Sequence, residues 1–338
     1  MKKFDVAGIG NAIVDVVANV DDSFLELNLL EKGSMKLVDE IVSAKICNSI
    51  NILGKDCGGS AANTIAGLAC MGNRAAFIGK VSEDSYGFDF EKSLKEIGVF
   101  YNTRKAKDGP PTAHCIVLVT PDAQRTMNTC LGVAGSLCAE DIEEEVIENS
   151  SIIYMEGYLW DKPEAKEAIY KGMEIAVASG GKTAFSLSDS FCVLSHREEF
   201  MDLVSNQVDI LFANEDEINA LFKTRSFEEA VEKCRKLDAI CALTRSEKGS
   251  VIVSGDKVVS VESRAPSKLV DTTGAGDLYA AGFLHGYIKG YSLEASGDAG
   301  SIAASEVISH FGARLQKSLT RLLENNKYLT SGKGEYGR

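Results

Sequence analysis

Residues 271–284 read Asp-Thr-Thr-Gly-Ala-Gly-Asp-Leu-Tyr-Ala-Ala-Gly-Phe-Leu, a small-residue turn that runs straight into a helical pattern. From Ala280 onward, Ala280, Phe283, Leu284, Tyr287 and Ile288 recur at three- and four-residue steps. A glycine turn opening a helix leaves several backbone N–H groups unpaired at the positive end of the helix dipole, an arrangement suited to an anion. Asp277 precedes Ala280 by three residues and Leu284 by seven, so it shares the inward face of that helix. An acid in a first turn is explained by the dipole alone. On an inward stripe beside free amides, it also sets a proton acceptor next to an oxyanion cradle, two parts that a phosphoryl-transfer site needs.

The rest of the chain supplies a framework for that turn. Phe4–Ile9 and Ile13–Val20 read as strands, Val38–Asn51 and Ser60–Met71 as helices, and Gly54–Ser60 between them as a glycine turn with Ser60 as N-cap. Ala75–Val81 reads as a strand, Tyr86–Ile97 as a helix, and Thr112–Thr120 with Arg125–Leu131 as a hairpin around Pro121-Asp122-Ala123. Strands at 151–155, 182–187, 208–213 and 239–244 then alternate with helices at 139–148, 163–178, 197–204, from 215, and 227–237. Two β runs at 250–261 precede the opening motif, and a small-residue helix at 292–310 follows it.

Strands separated by helices predict a mainly parallel sheet covered on both faces, a three-layer α/β/α fold. The β-rich pieces at 13–37 and 100–131 break the rhythm and are too short to build a core of their own. They are expected to form a small β-sheet lid over the carboxyl ends of the main strands, where ligands collect. The expected organisation is a single α/β unit over 1–329 and a polar, Gly-rich, disordered tail over 330–338.

Composition narrows the partners. Thirty-six basic against forty-nine acidic residues give a net charge of -13, which argues against nucleic acid or an acidic membrane surface. The nine cysteines include no CxxC pair and sit mostly in apolar runs, as buried thiols of a reducing compartment do. The four histidines have no zinc spacing. Asp5, Asn11 and Asp15 interrupt the apolar stretch after Lys2 and Lys3, and no run reaches a membrane-spanning length. These features predict a soluble cytoplasmic protein with small-molecule partners.

Other motifs are tested against their chemistry. Gly8-x-Gly10 lacks the third glycine of a dinucleotide site, since position 13 is Ile, and no Gly-x-x-x-x-Gly-Lys-[Ser/Thr] occurs. Asp15 stands inside a β-branched run, so it faces solvent or binds something. Asn63 falls in the first turn of its helix, as a local hydrogen-bond partner or a ligand contact. Asn214-Glu-Asp-Glu217 follows a strand and opens a helix. It reads either as an N-cap with an acidic first turn or as an organiser of Mg²⁺ and its waters near phosphates.

Residues 271–284 resemble the second signature of the PfkB (ribokinase-type) sugar and nucleoside kinases. Gly58-Gly-Ser-Ala-Ala-Asn63 resembles the first signature, and Asn214-x-x-Glu217 is similar to the family's metal-organising motif. The resemblance runs from residue 4 to about 325 with motifs in family order, and it implies a ribokinase-like fold using ATP and Mg²⁺. It implies Asp277 as catalytic base and Gly274, Ala275 and Gly276 as the anion hole. Asn11 and Asp15 would hold acceptor hydroxyls, with Gly58, Gly59, Ser60 and Asn63 as further acceptor contacts. Thr244-Arg-Ser-Glu-Lys-Gly249 is similar to the nucleotide loop, with Asn214, Thr244, Ser246, Gly249 and Gly276 on ATP; its first glycine is replaced here by Ser246. The resemblance also leaves room for a monovalent cation such as K⁺ and for a monomer or homodimer.

Three segments resemble the adenosine-kinase branch: Gly10–Asp15, Arg125–Gly132, and Ser186–Phe191 together with Val208–Glu215. In that branch the lid arginine, here Arg125, would reach the transferred phosphate. The expected reaction is transfer of the ATP γ-phosphate to the 5′-hydroxyl of adenosine. A free sugar such as ribose, fructose or a keto-sugar acid is the alternative acceptor, and an inactive nucleoside-binding regulator is the alternative class. A base slot is expected from Ile13, Leu37 and Tyr158-Leu-Trp160, whose other reading is helix–sheet packing.

Overall fold

The computed structural model describes residues 2–122, 124–316, 318–320 and 323. The expected tail at 330–338, and Ala123 of the expected hairpin turn, lie outside the described residues. In chain order the strands are β1 (Phe4–Ile9), β2 (Ile13–Asn19), β3 (Met35–Leu37), β4 (Ile52–Gly58), β5 (Ala75–Ile78), β6 (Phe100–Tyr101) and β7 (Ala113–Val119). They continue as β8 (Arg125–Cys130), β9 (Ser150–Glu156), β10 (Lys182–Ser186), β11 (Ile210–Asn214), β12 (Ile240–Thr244), β13 (Ser250–Ser254) and β14 (Lys257–Val261).

Nine of these form one sheet in the order β14-β13-β12-β11-β10-β9-β1-β5-β6, parallel from β6 to β12 and antiparallel across β12, β13 and β14. Its central strands are apolar on both faces, as helices on both sides require. In β9, Ile152 and Tyr154 enter one core while Ile153 and Met155 enter the other. The first core is closed by helices Ser60–Cys70, Ser85–Glu96, Ala275–Ile288 and Leu293–Val307. The second is closed by Pro163–Ala178, Ser190–Asn206, Glu215–Phe222 and Phe227–Cys234. The expected ribokinase-like three-layer fold is therefore present.

The remaining strands form a five-stranded sheet, β3-β8-β7-β2-β4. Helices Asp22–Leu27 and Glu40–Cys47 cover one face through Ala18, Leu25, Ile46, Ile116 and Leu118. The other face carries Asp15, Cys115 and Thr129 in register across β2, β7 and β8, with Asp56 and Leu37 at the two ends of the row.

Two expectations need correction. Residues 54–58 are not a turn: they belong to β4, an edge strand whose first five residues are exposed and mostly polar or glycine. Phe100–Tyr101, placed in the lid from sequence, pairs with β5 at the edge of the main sheet.

Candidate active site

Because β1 and β9–β12 run parallel, their carboxyl ends meet along one edge of the main sheet. That edge brings together Asn11 just past β1, Glu156, Ser186, Asn214 and Thr244. Helices Ser60–Cys70 and Ala275–Ile288 point their N-termini into the same region, through contacts between Ser60, Asn63 and Asp277. Residues far apart in the chain thus converge where an open α/β sheet places its ligands.

Asp277 sits in the first turn of its helix, as expected. Its carboxylate accepts the Ser60 hydroxyl at 2.6 Å and the Asn63 amide at 3.0 Å. The Thr64 hydroxyl lies 3.1 Å from its backbone oxygen. Burial pushes the Asp277 carboxyl up to about 6, with the Ser60 and Asn63 donors working in the opposite direction. Ser60 is therefore a partner of Asp277 and not the N-cap expected of it. The cap is Gly59, whose φ of +99° suits glycine and where a Cβ would lie 2.1 Å from the Asn11 carbonyl oxygen.

Gly274 caps the Ala275–Ile288 helix at φ +79°, packed so closely on Ala313 that a Cβ would lie 2.8 Å from its Cα. The Ala275 N–H is donated to the Thr272 carbonyl at 3.2 Å. The first i→i−4 bond of the helix runs from Leu278 to Gly274 (2.9 Å), so the Gly276 and Asp277 amides have no acceptor within the helix. Open space lies over them, since a Cβ on Gly276 would meet nothing within 4 Å. Of the expected anion-hole trio, Ala275 is the member whose N–H is spent on the preceding turn.

Glu156, which carries no sequence signature, is fully buried and ties three segments together. Its carboxylate accepts the Asn11 backbone N–H (2.8 Å), the Asn11 side-chain amide (2.7 Å) and the Ala61 N–H (2.6 Å). Burial pushes it up to about 7 against those bonds. Asn11, expected on the acceptor, is 3% exposed and spends its amide on Glu156. The available signal was an acid directly after the apolar run of β9, at the ligand end of the sheet.

Asp15 faces the site from β2. Burial, followed by repulsion from Asp56, pushes its carboxyl up to about 6, while Arg314 and Arg125 pull the other way. A Cβ on Gly58 would lie 3.1 Å from its Oδ2, so the glycine keeps that carboxylate accessible.

On the other side of Asp277 is a cavity of about 620 Å³, lined by residues that include Asn214, Thr244, Ser246, Gly249, Gly276 and Asp277. All five residues expected on ATP therefore share one cavity. Ser246 stands at the sequence's departure from the nucleotide loop and still adopts a left-handed φ of +52°. Asn214 and Glu217 form a reciprocal cap. The Asn214 side chain accepts the Glu217 N–H (2.8 Å), and Glu217 accepts the Asn214 N–H (3.0 Å) and its amide (2.6 Å). Burial first, then repulsion from Asp189, Asp216 and Asp277, pushes Glu217 up to about 7. No cluster of three or more His, Cys, Asp or Glu suited to binding a metal ion occurs among the described residues.

Arg125 reaches from β8 to the glycine turn. It pairs with Asp271 at 2.8 Å, lies 3.3 Å from the Thr273 hydroxyl and stacks over Phe311. The expected base slot is divided. Ile13 and Leu37 belong to the small sheet, but Trp160 is buried in the second core against Tyr170, Phe185 and Phe200, with its indole N–H on Glu199. Tyr158 is half-exposed, and its hydroxyl lies 3.2 Å from the Ser188 carbonyl oxygen.

A buried carboxylate held by two donors beside open helix amides and a roomy cavity fits a phosphotransferase of the ribokinase type. The chain belongs to the pfkB family of carbohydrate kinases, whose sequence pattern matches residues 41–320. It is thus a kinase that phosphorylates a hydroxyl acceptor, and the family implies ATP as donor. The structure of a probable sugar kinase from Rhizobium etli is 42% identical, with a TM-score of 0.90 over 97% of this chain and 100% of that one. The structure of adenosine kinase from Sinorhizobium meliloti is 45% identical, with a TM-score of 0.88 over 95% and 99%. A 5-dehydro-2-deoxygluconokinase from Clostridium beijerinckii is 27% identical over 294 residues, 83% of this chain and 86% of that protein. No described helix is long and apolar enough to cross a membrane.

Proposed function

We propose that this kinase phosphorylates the 5′-hydroxyl of adenosine or a closely similar purine nucleoside, giving AMP and ADP. The observation that carries the reading is the 45% identity to an adenosine kinase over 95% of the chain, against 42% to the probable sugar kinase and 27% to the keto-sugar kinase. The small sheet adds support. Beside the polar row of Asp15, Cys115 and Thr129, its site-facing side carries an apolar row, Val17, Val117, Met127 and Met35, in register across four strands. A nucleoside offers hydroxyls to the first row and a base to the second, whereas a free sugar leaves the second without a partner. The curated keto-sugar kinases favour the second reading, a sugar-acid acceptor.

In the proposed reaction Asp15 orients the acceptor, and Asp277 accepts the proton of the attacking hydroxyl. Ser60 and Asn63 hold the Asp277 carboxylate in one orientation, and Glu156 fixes the helix that carries both. The Gly276 and Asp277 amides and Arg125 meet charge on the transferred group, the main source of acceleration in phosphoryl transfer. Mg²⁺ fits as an ion held by phosphates and water near Asn214 and Glu217, where Asp189, Asp216 and Asp277 keep the potential negative. Bound there, it supplies charge neutralisation to the donor.

The test is kcat/KM with ATP for adenosine, ribose, fructose and 5-dehydro-2-deoxygluconate. Adenosine should lead by about 10- to 10²-fold, since base contacts add on the order of 1–3 kcal/mol. Equal or better turnover of a free sugar or sugar acid overturns the nucleoside reading.

A further inference from the structure

Arg314 carries no motif, yet it stands behind the base. Its segment is fixed from two directions: the Gly312 N–H reaches Asp271 (3.3 Å), and Ala313 packs on Gly274. From there the guanidinium extends between two helices, Ser60–Cys70 and Ser85–Glu96. Nη1 donates to Ser93 Oγ at 3.1 Å, and Nε lies 3.5 Å from Asn63 Oδ1. Nη2 is buried without a partner. A buried guanidinium with an unused donor is expensive to keep and has a specific reason where it occurs.

The geometry points to Arg314 as a positioning residue for the transfer, fixing which end of the Asn63 carboxamide faces Asp277. A carboxamide in a tight site fits two ways, related by a flip that exchanges oxygen and NH₂. Here Nδ2 donates to Asp277 and Oδ1 faces Arg314. The flipped amide would set its oxygen against the Asp277 carboxylate and its NH₂ against a guanidinium that accepts nothing. Asp277 alone favours the observed orientation, and Arg314 adds to the preference from the far side. The result is a relay from Arg314 through Asn63 to Asp277, in which the arginine acts on the base without touching it. Asn63 is 4% exposed, so water does not readily replace either partner.

This inference rests on Asp277 being the base, and the experiment separates the two. Three variants, Arg314→Met, Arg314→Lys and Asp277→Asn, are assayed for kcat, acceptor KM and the pH dependence of kcat, with ATP affinity as a check on folding. Arg314→Met is also made in an Asn63→Ala background. The groups around Asp277 are Ser60, Asn63, Glu156, Glu217 and Tyr154; those around Arg314 are Asp15, Asp56, Cys57 and Cys70. A freed Asn63 amide holds the Asp277 carboxylate less well, so the acid limb of kcat should move to higher pH. Arg314→Met should lower kcat by about 10-fold in the native background and less than about threefold beside Asn63→Ala. Arg314→Lys, which keeps the charge and N–H donors without the planar fork, should recover part of the loss. An equal loss in both backgrounds, or a change in acceptor KM with the acid limb unmoved, overturns the relay. Full turnover by Asp277→Asn overturns the base assignment beneath it.

Discussion

As the proposed base, Asp277 is asked for opposite things by catalysis and by folding. Catalysis needs its carboxylate ionised, while burial has pushed it up to about 6. Turnover should therefore plateau above about pH 7 and fall roughly tenfold per unit well below pH 6. Asp277→Asn should lower kcat by at least about 10²-fold at pH 7.5, and turnover within threefold of the native enzyme would refute its role. The folded carboxyl binds its proton more readily than in the unfolded chain, where the value is about 3.9. Its contribution to stability is thus complete below about pH 4 and is lost as pH rises through 6. At pH 8, Asp277→Asn should unfold at a higher temperature than the native chain, by on the order of 1 kcal/mol. The gap should narrow to about half by pH 5 and close below about pH 4, and a variant less stable at both pH 8 and pH 5 would contradict this. Asp15 and Glu156 are shifted in the same direction, so the site as a whole is held together against its own charge.

At the scale of elements, Asn214–Glu217 is a complete helix cap that also borders the 620 Å³ cavity, and the Mg²⁺ role proposed for the pair is open to a direct test. Glu217→Gln keeps the shape and removes the charge. It should raise the Mg²⁺ needed for half-maximal rate several-fold while leaving the melting temperature within a few degrees; an unchanged Mg²⁺ titration would leave the pair a cap alone. The elements themselves were legible to different depths. Strands β1 and β9–β12 announce themselves as apolar runs because helices cover both faces, and the glycine-turn helix is written in its own spacing. Strand β4 was hidden, since Ile-Leu-Gly-Lys-Asp-Cys-Gly on an exposed edge has the composition of a turn. Of the two readings of Trp160, packing holds and the base slot does not, and sequence cannot separate them because hydrophobicity says that a residue is buried, not on which side of a sheet. Glu156 and Arg314 stayed silent because each acts on a residue distant in the chain, through contacts that no local pattern encodes. At Ser246 the loop geometry outlasts the usual glycine: the serine keeps φ at +52° at a cost on the order of 1 kcal/mol.

For the molecule as a whole, the connection between the two sheets near the glycine turn is Arg125 on Asp271, a carboxylate whose side chain is 7% exposed. We read the small sheet as a cover whose closure brings this arginine to the transferred phosphate. Arg125→Ala should then lower kcat by more than it raises the acceptor KM and leave ATP affinity unchanged. A rise in acceptor KM alone would make Arg125 a substrate clamp.

None of the described residues lining the 620 Å³ cavity comes from the five-stranded sheet. On the proposed reading, the acceptor wall that carries Asp15 is therefore separate from the walls of this cavity, while Ser60 and Asp277 border both. A lineage can exchange the compound it phosphorylates by substitutions along one face of five strands while the walls around the nucleotide are inherited unaltered. Proteins on this scaffold can then carry different substrate names at the same overall shape, and the donor is the more predictable half of the reaction.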